Sequence, residues 1–180
     1  AAVPDADIYA IEPSKAMRTA LHTRLALDDR LRATVTIDPR PLASADLPPV
    51  ASALTMTAVL GHLTDAERAR VWRYVAEQMP VGAPAVIELL PPFRPAEFPL
   101  VRYREVSVGS LTYEGWQSGE PSGDRDMTWT MIYRVRRGDQ QIAEYSVRSN
   151  WRCTSPDDLR AAVEPFGLTV DHAESFVVLH

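Results

Sequence analysis

Short apolar runs alternate with amphipathic segments through the first half of the sequence, and this alternation constrains the fold more than any other feature. The strand-like runs are residues 7–11, 35–37, 53–60 and 85–90. Segments beginning at Ser14 and Thr64 instead repeat apolar residues at helical spacing. Successive strands joined through helices favour a parallel sheet, because a parallel pair needs a long crossover connection. We therefore predict an α/β fold for the first half.

Two helix starts are well defined. Thr64 is followed three residues later by Glu67, which is the pattern of a capping box. Ser155 is followed by a proline and two aspartates, which suit the first turn of a helix. We expect the second of these helices to end near Gly167 and to be followed by two short strands.

The segment 94–153 has a different character. It is rich in β-branched and aromatic residues that alternate with polar ones, and residues 137–140 form a hairpin-turn sequence. This pattern predicts an antiparallel insertion of about three strands.

Composition narrows the functional classes. The 180 residues are 46% hydrophobic, which is enough for one substantial core, and the net charge of −5 argues against a nucleic-acid partner. The single cysteine excludes an internal disulfide, and no apolar run is long enough to span a membrane. No metal-ligand spacing is present among the histidines and the cysteine. We expect a cytoplasmic protein, and the arginine- and proline-rich usage indicates a bacterial source.

Several segments, in this order, resemble the class I S-adenosylmethionine-dependent methyltransferases. Residues 8–12 are similar to that family's second strand, and residues 56–63 to its fourth strand and the loop that follows. Residues 78–88 are similar to its next helix, turn and strand, and residues 155–168 to its last helix. The resemblance implies a Rossmann-like three-layer sandwich with a mostly parallel sheet and an antiparallel β insertion. It implies one domain over residues 1–180, with a core at 1–93, a substrate cover at 94–153 and the remaining core elements at 154–180.

The resemblance also implies a cofactor site for S-adenosylmethionine, which would leave as S-adenosylhomocysteine. Glu12 takes the place of the acid that binds the ribose hydroxyls, although it also suits a helix cap. Asp38, or alternatively Asp46, is the nearest substitute for the acid that contacts the adenine. Met56 and Thr57 would line the sulfur side of the donor, or would simply be strand residues.

The sequence departs from this family at its beginning. No glycine-rich loop precedes Glu12, and the only glycines before residue 100 are Gly61 and Gly82. We expect the natural protein to be longer, or a partner chain to supply the strand before this loop.

The resemblance places His62 after the fourth strand, where it would act as a general base or would be an ordinary surface histidine. The insertion carries candidate acceptor-binding residues that would otherwise pack the sheet or lie in solvent: Trp116, Trp129, Tyr133, Arg148 and Trp151.

The predicted function is methyl transfer to a small-molecule acceptor. The alternative is a catalytically inactive methyltransferase-like module for binding or assembly, favoured by the absent glycine loop. A homodimer formed through exposed sheet edges is a further hypothesis.

Overall fold

The computed structural model describes residues 6–173 and 176–180, which form two compact units, one up to residue 51 and one from residue 52 onward. In the first unit, β1 (Ile8–Ile11) and β2 (Val35–Asp38) pair in parallel, with Ile8 opposite Val35. They are connected through α1 (Lys15–Leu25) and α2 (Asp29–Thr34). Ser14 caps α1 by accepting a hydrogen bond from the Met17 amide.

The second unit contains a four-stranded mixed sheet in the order β3-β4-β10-β9. Its strands are β3 (Leu54–Met56), β4 (Ala85–Glu88), β9 (Val170–Ala173) and β10 (Phe176–Leu179). The β3–β4 pair is parallel, whereas β10 runs antiparallel to both of its neighbours. The predicted excess of parallel pairing is therefore wrong for this sheet, because the chain returns from β9 to β10 directly and not through a crossover helix.

Two helices belong to this sheet. The helix α3 (Asp65–Gln78) joins β3 to β4, and α4 (Pro156–Val163) precedes β9. Both begin with capping boxes: the one expected at Thr64 with Glu67, and a second formed by Ser155, the expected cap, with Asp158. None of the described helices is long and apolar enough to cross a membrane.

The core lies where β4 and β10 meet. Ile87 is opposite Val177 and Ala85 is opposite Leu179, and all four side chains are fully buried. The apolar face of α3 and the buried residues of α4 complete the core: Val71, Trp72, Val75, Leu159 and Val163.

The insertion is an antiparallel sheet of four strands rather than about three. They are β5 (Phe98–Val108), β6 (Leu111–Pro121), β7 (Asp126–Arg137) and β8 (Gln140–Arg152), paired in chain order. Gly138 adopts a φ of 56° in the predicted hairpin turn, and Gly109 adopts 59° in the turn between β5 and β6. The polar segment after Gly119 is shorter than predicted, because β6 extends to Pro121.

Candidate functional site

The carboxyl end of β3 is the first feature of the site. The strand is only three residues long, and the chain turns at Thr57 and Ala58 before a 3₁₀ turn at Leu60–His62. The predicted strand over 53–60 is therefore too long. Ala58 ends it, because a φ of 52° is incompatible with an extended strand. Met56 is buried in the sheet, whereas Thr57 is exposed at its edge.

His62 is held at this edge by its neighbours. Leu60 and Leu63 are buried on either side of it, while the imidazole itself is exposed. The imidazole meets the indole of Trp151 edge to face, with ring centroids 4.8 Å apart and an interplanar angle of 86°. The structure therefore brings together two residues that the sequence places in different parts of the site.

Residues at the end of β8 and just after it contact the segment from Gly61 to Arg68 at three successive points. The indole of Trp151 packs so closely on Gly61 that an added Cβ would lie 2.1 Å from its Cε2 atom. The next residue, Arg152, donates to Asp65 at 2.5 Å. This hydrogen bond lowers the pKa of Asp65 and raises that of Arg152. The antiparallel sheet is thus fixed to the loop that carries His62.

Arg68 makes the third contact of this series. Its guanidinium is buried and donates to Thr154 Oγ1 at 3.1 Å and to the Leu60 carbonyl at 2.8 Å. Its Nε has no partner among the described residues, and no described carboxylate lies within ion-pair distance. Burial is the main cause that lowers the pKa of Arg68. Nothing in the sequence indicated that this helix residue would be buried.

A cleft of about 230 Å³ lies beside Arg68. It is lined by Asp65, Arg68, Ala69, Trp72, Arg125, Thr154, Asp158, Leu159, Ala162 and Phe166. The two carboxylates in this lining are already paired, Asp65 with Arg152 and Asp158 with arginines that include Arg125. None of the sequence-predicted site residues lines it.

The candidate acceptor-binding residues lie on two opposite faces of the antiparallel sheet. The register places Trp129, Tyr133 and Trp151 on one face, which we call the aromatic face. Trp116 and Arg148 point to the other face, because Trp116 is opposite Ile132 and Arg148 is opposite Thr130. The five residues therefore do not line one pocket together.

Trp116 and Arg148 are engaged within the sheet. The Trp116 indole N–H donates to Glu114 at 2.8 Å, and the guanidinium of Arg134 lies over the ring at 5.0 Å. Arg148 donates to Glu120 at 2.6 Å. These contacts match the structural alternative for both residues.

Trp129 differs, because its indole N–H is buried without a hydrogen-bond partner in the described residues. Its ring packs edge to face on Phe98, with centroids 5.0 Å apart. A buried donor of this kind is uncommon in native proteins.

The first unit holds the two acids assigned to the cofactor. Glu12 directly follows β1, and its Oε1 accepts a hydrogen bond from the Ser14 amide at 2.8 Å, as a helix-capping acid would. Asp38 is buried and accepts from the Tyr9 hydroxyl at 2.6 Å and from the guanidinium of Arg40 at 2.6 to 3.2 Å.

These contacts leave Asp38 without a free acceptor. The Arg40 guanidinium, and then the Tyr9 hydroxyl, hold the pKa of Asp38 well below its ordinary value. Arg40 also donates to Asp46 at 2.8 Å, so both acids considered for the adenine contact bind one arginine. Asp38 therefore accepts hydrogen bonds from Arg40 and Tyr9 in the first unit, and its contact with the adenine stays a prediction.

Three solved structures that align with most of this chain are methyltransferases. KedS8, a sugar N-methyltransferase from a Streptoalloteichus species, is 20% identical and aligns with a TM-score of 0.72 over 95% of this chain and 69% of its own. DesVI of Streptomyces venezuelae is 19% identical, with a TM-score of 0.74 over 95% of this chain and 72% of its own. The chain has the fold of these methyltransferases.

A third structure with the methyltransferase fold is CalS10 from Micromonospora echinaspora, an amino pentose methyltransferase solved with S-adenosylmethionine bound. It is 17% identical and aligns with a TM-score of 0.70 over 95% of this chain and 72% of its own. Neither a protein-family model nor a curated protein matches the sequence. The alignments with these three solved structures confirm the Rossmann-like α/β fold that the resemblance implied.

Proposed function

We propose that the chain is an S-adenosylmethionine-dependent methyltransferase that acts on a small-molecule acceptor. The observation that carries this proposal is the fold likeness over 95% of the chain to enzymes of that kind. The contact between His62 and Trp151 at the carboxyl end of β3 supports it, because ligands of open α/β sheets bind at this edge.

The residues assigned to the S-adenosylmethionine site match the expected contacts only in part. Glu12 directly follows β1, and its carboxylate would accept hydrogen bonds from the two hydroxyls of a ribose in addition to the one from the Ser14 amide. Thr57 is exposed at the end of β3, where it would contact the donor, while Met56 lies behind it in the sheet. An adenine contact from Asp38 would have to compete with Arg40 and Tyr9, which already donate hydrogen bonds to its oxygens.

When bound, S-adenosylmethionine supplies an electrophilic methyl group on a sulfonium. The protein has to align the acceptor in line with this methyl group and to exclude water. In the proposed mechanism, His62 accepts the proton that the acceptor's hydroxyl or amine loses as its oxygen or nitrogen is methylated. The indole of Trp151 orients the imidazole and covers one side of it.

The aromatic face would contribute to acceptor binding. Trp129 and Trp151 lie on this face at its buried end, and Trp129 offers an unpaired N–H. An apolar wall with a few hydrogen-bond donors is typical of small-molecule sites. KedS8 and CalS10 act on sugars, and an acceptor rich in hydroxyl groups would suit this combination here.

The test is a calorimetric titration with S-adenosylhomocysteine. We expect micromolar binding that Glu12→Ala weakens by about tenfold or more, since charge-assisted hydrogen bonds are lost. Glu77→Ala, which removes an exposed acid from α3, is the matched control and should leave the affinity unchanged. Binding that is absent, or indifferent to Glu12, would contradict the assignment.

The inactive module stays the second candidate function, and the engagement of Asp38 favours it. It predicts that S-adenosylhomocysteine binds weakly or not at all and that no acceptor is methylated. The single domain, the three-layer arrangement, the cytoplasmic location, the bacterial source and the absence of a nucleic-acid partner stay predictions.

We also propose a homodimer, formed through the aromatic face instead of the exposed sheet edges considered from the sequence. Beyond its buried end, this face exposes a continuous set of apolar side chains: Val101, Tyr103, Val106, Tyr113, Tyr133, Tyr145 and Val147. Contiguous exposed patches of this kind mark interaction sites. A second copy is the expected occupant, because two such faces can pack as a β-sandwich about a two-fold axis.

Adjacent residues of β8 provide the test. Val147→Asp places a charge on the aromatic face and should give a monomer in sedimentation equilibrium. Ser146→Asp places the same charge on the opposite face and should leave the dimer intact. A monomeric wild-type chain at high concentration would contradict this interface.

A further inference from the structure

The turn after β3 contains a residue in an unfavourable backbone conformation. Ala58 has a φ of 52° and is the only non-glycine residue of the described chain with a positive φ. Its Cβ makes this left-handed region costly, so the conformation persists only where nearby contacts favour it. Glycine would avoid this cost, yet the sequence has alanine.

The contact that favours it comes from the neighbouring strand. The Ala58 backbone N–H donates to Glu88 Oε2 at 2.9 Å. The backbone ladder between β3 and β4 ends with Met56 opposite Ile87, one residue before Glu88. The Glu88 carboxylate therefore binds an amide just beyond the last rung of the ladder, and bonds to an ionised acceptor are stronger than neutral ones.

Glu88 is itself firmly placed. It is the last residue of β4 and lies opposite Phe176 in the register with β10, so its backbone belongs to the centre of the sheet. Its carboxylate thus connects the ordered sheet to the turn. A group held in this way can impose a geometry on a loop.

The turn leads directly to the candidate site residues. Thr57 precedes Ala58, and His62 follows it within four residues. The chain is anchored by buried Met56 before the turn and by buried Leu60 after it. Between these anchors Thr57, Ala58 and Val59 are exposed, and Glu88 makes the side-chain contact to this stretch.

We propose that Glu88 is a positioning residue for the methyl-transfer site: by accepting the Ala58 N–H it holds the turn that presents Thr57 and His62. The inference rests on the proposed function for its catalytic meaning. The ordering of the turn can be measured without any ligand.

Acceptor-free variants provide the test. Glu88→Met and Glu88→Ala remove the carboxylate, whereas Glu88→Gln keeps an oxygen that can accept the same hydrogen bond. Glu77→Ala is the control for loss of a negative charge. Backbone ¹⁵N relaxation should give order parameters near 0.85 for Thr57 and Ala58 in the wild type, in Glu88→Gln and in the control. In both acceptor-free variants the values should fall below about 0.6, and the imidazole resonances of His62 should shift.

Titration with S-adenosylhomocysteine separates the two ideas. Weakening by about tenfold in the acceptor-free variants, with rescue in Glu88→Gln, supports both the positioning role and the proposed function. An ordered turn that loosens in these variants, in a chain that does not bind S-adenosylhomocysteine, supports the positioning role and contradicts the function. Unchanged order parameters in Glu88→Met and Glu88→Ala overturn the positioning role. It is also overturned if the order parameters fall as far in Glu88→Gln as they do in Glu88→Met.

Discussion

The indole of Trp151 rests on the backbone of Gly61, at a distance that leaves no room for a side chain. A Cβ on Gly61 would lie 2.1 to 2.6 Å from three atoms of the Trp151 ring. We predict that Gly61→Ala lowers the free energy of unfolding by about 1–3 kcal/mol, because the ring has to move out of a packed position. Chemical denaturation measures this loss.

A second glycine provides the control for this prediction. A Cβ on Gly123 would meet its nearest neighbour, Asp126 Oδ2, at an ordinary 3.4 Å, so Gly123→Ala should change stability by less than about 0.5 kcal/mol. In the double variant Gly61→Ala/Trp151→Leu, the smaller side chain should recover part of the Gly61→Ala loss. Strictly additive losses would mean that the two residues are not in contact.

Asp38 should make the first unit sensitive to acid. The guanidinium of Arg40 and the hydroxyl of Tyr9 hold its folded pKa below the ordinary value of about 4. Its contribution to stability is therefore complete above about pH 4 and is lost as the pH falls through the folded pKa. We expect Asp38→Asn to be less stable than the wild type at pH 7, and the difference in melting temperature to shrink below pH 4. A difference that is constant from pH 7 to pH 3 would contradict the pairing.

The phenol of Tyr103 should lose its proton at a higher pH than an ordinary tyrosine does. Partial burial of the phenol, and then a hydrogen bond with Tyr133, raise its pKa to about 12 from an ordinary value of 10.0. Because the raised pKa favours the neutral phenol, the contribution to stability is complete below pH 10 and is lost as the pH rises toward 12. Ultraviolet titration of phenolate absorbance should show this late component, and Tyr103→Phe should remove it.

Tyr133→Phe separates the two causes. It should lower the pKa of Tyr103 only in part, because burial is the larger cause. A full return to the ordinary value would mean that the hydrogen bond dominates.

Local signals in the sequence predicted the helices well, because capping depends on residues a few positions apart. Thr64 with Glu67 forms the expected capping box, and Ser155 caps α4 as expected, with Asp158 completing a second box. The short helix α2 was missed, although Asp28 caps it at Leu31, because six residues are too few for a periodic pattern.

The candidate site could be predicted only in part, since its geometry depends on contacts between distant segments. Alternation within one strand fixes which residues share a face, but Trp116 and Trp129 lie on different strands, and their faces follow from the register of β6 and β7. The apolar run at 53–60 gave no sign of the turn at Ala58, which requires the carboxylate of Glu88 from thirty residues away. The saturation of Asp38 by Arg40 and Tyr9 likewise requires the fold.

The last prediction concerns Arg68, whose two donor groups join the loop at Leu60 to the residue Thr154 after β8. Arg68→Ala removes both hydrogen bonds, leaves the Leu60 carbonyl unpaired and opens a cavity. We therefore expect it to lower the free energy of unfolding by about 3 kcal/mol or more. Thr154→Val removes one acceptor at nearly constant volume and should cost about 0.5–1.5 kcal/mol. Arg160→Ala, which removes an exposed arginine from α4, should lower the free energy of unfolding by less than Arg68→Ala or Thr154→Val does. If Arg68→Ala proved no worse than Arg160→Ala, the buried guanidinium would not hold the His62 loop to the antiparallel sheet. A large loss in Arg68→Ala together with altered His62 resonances would mean that it does.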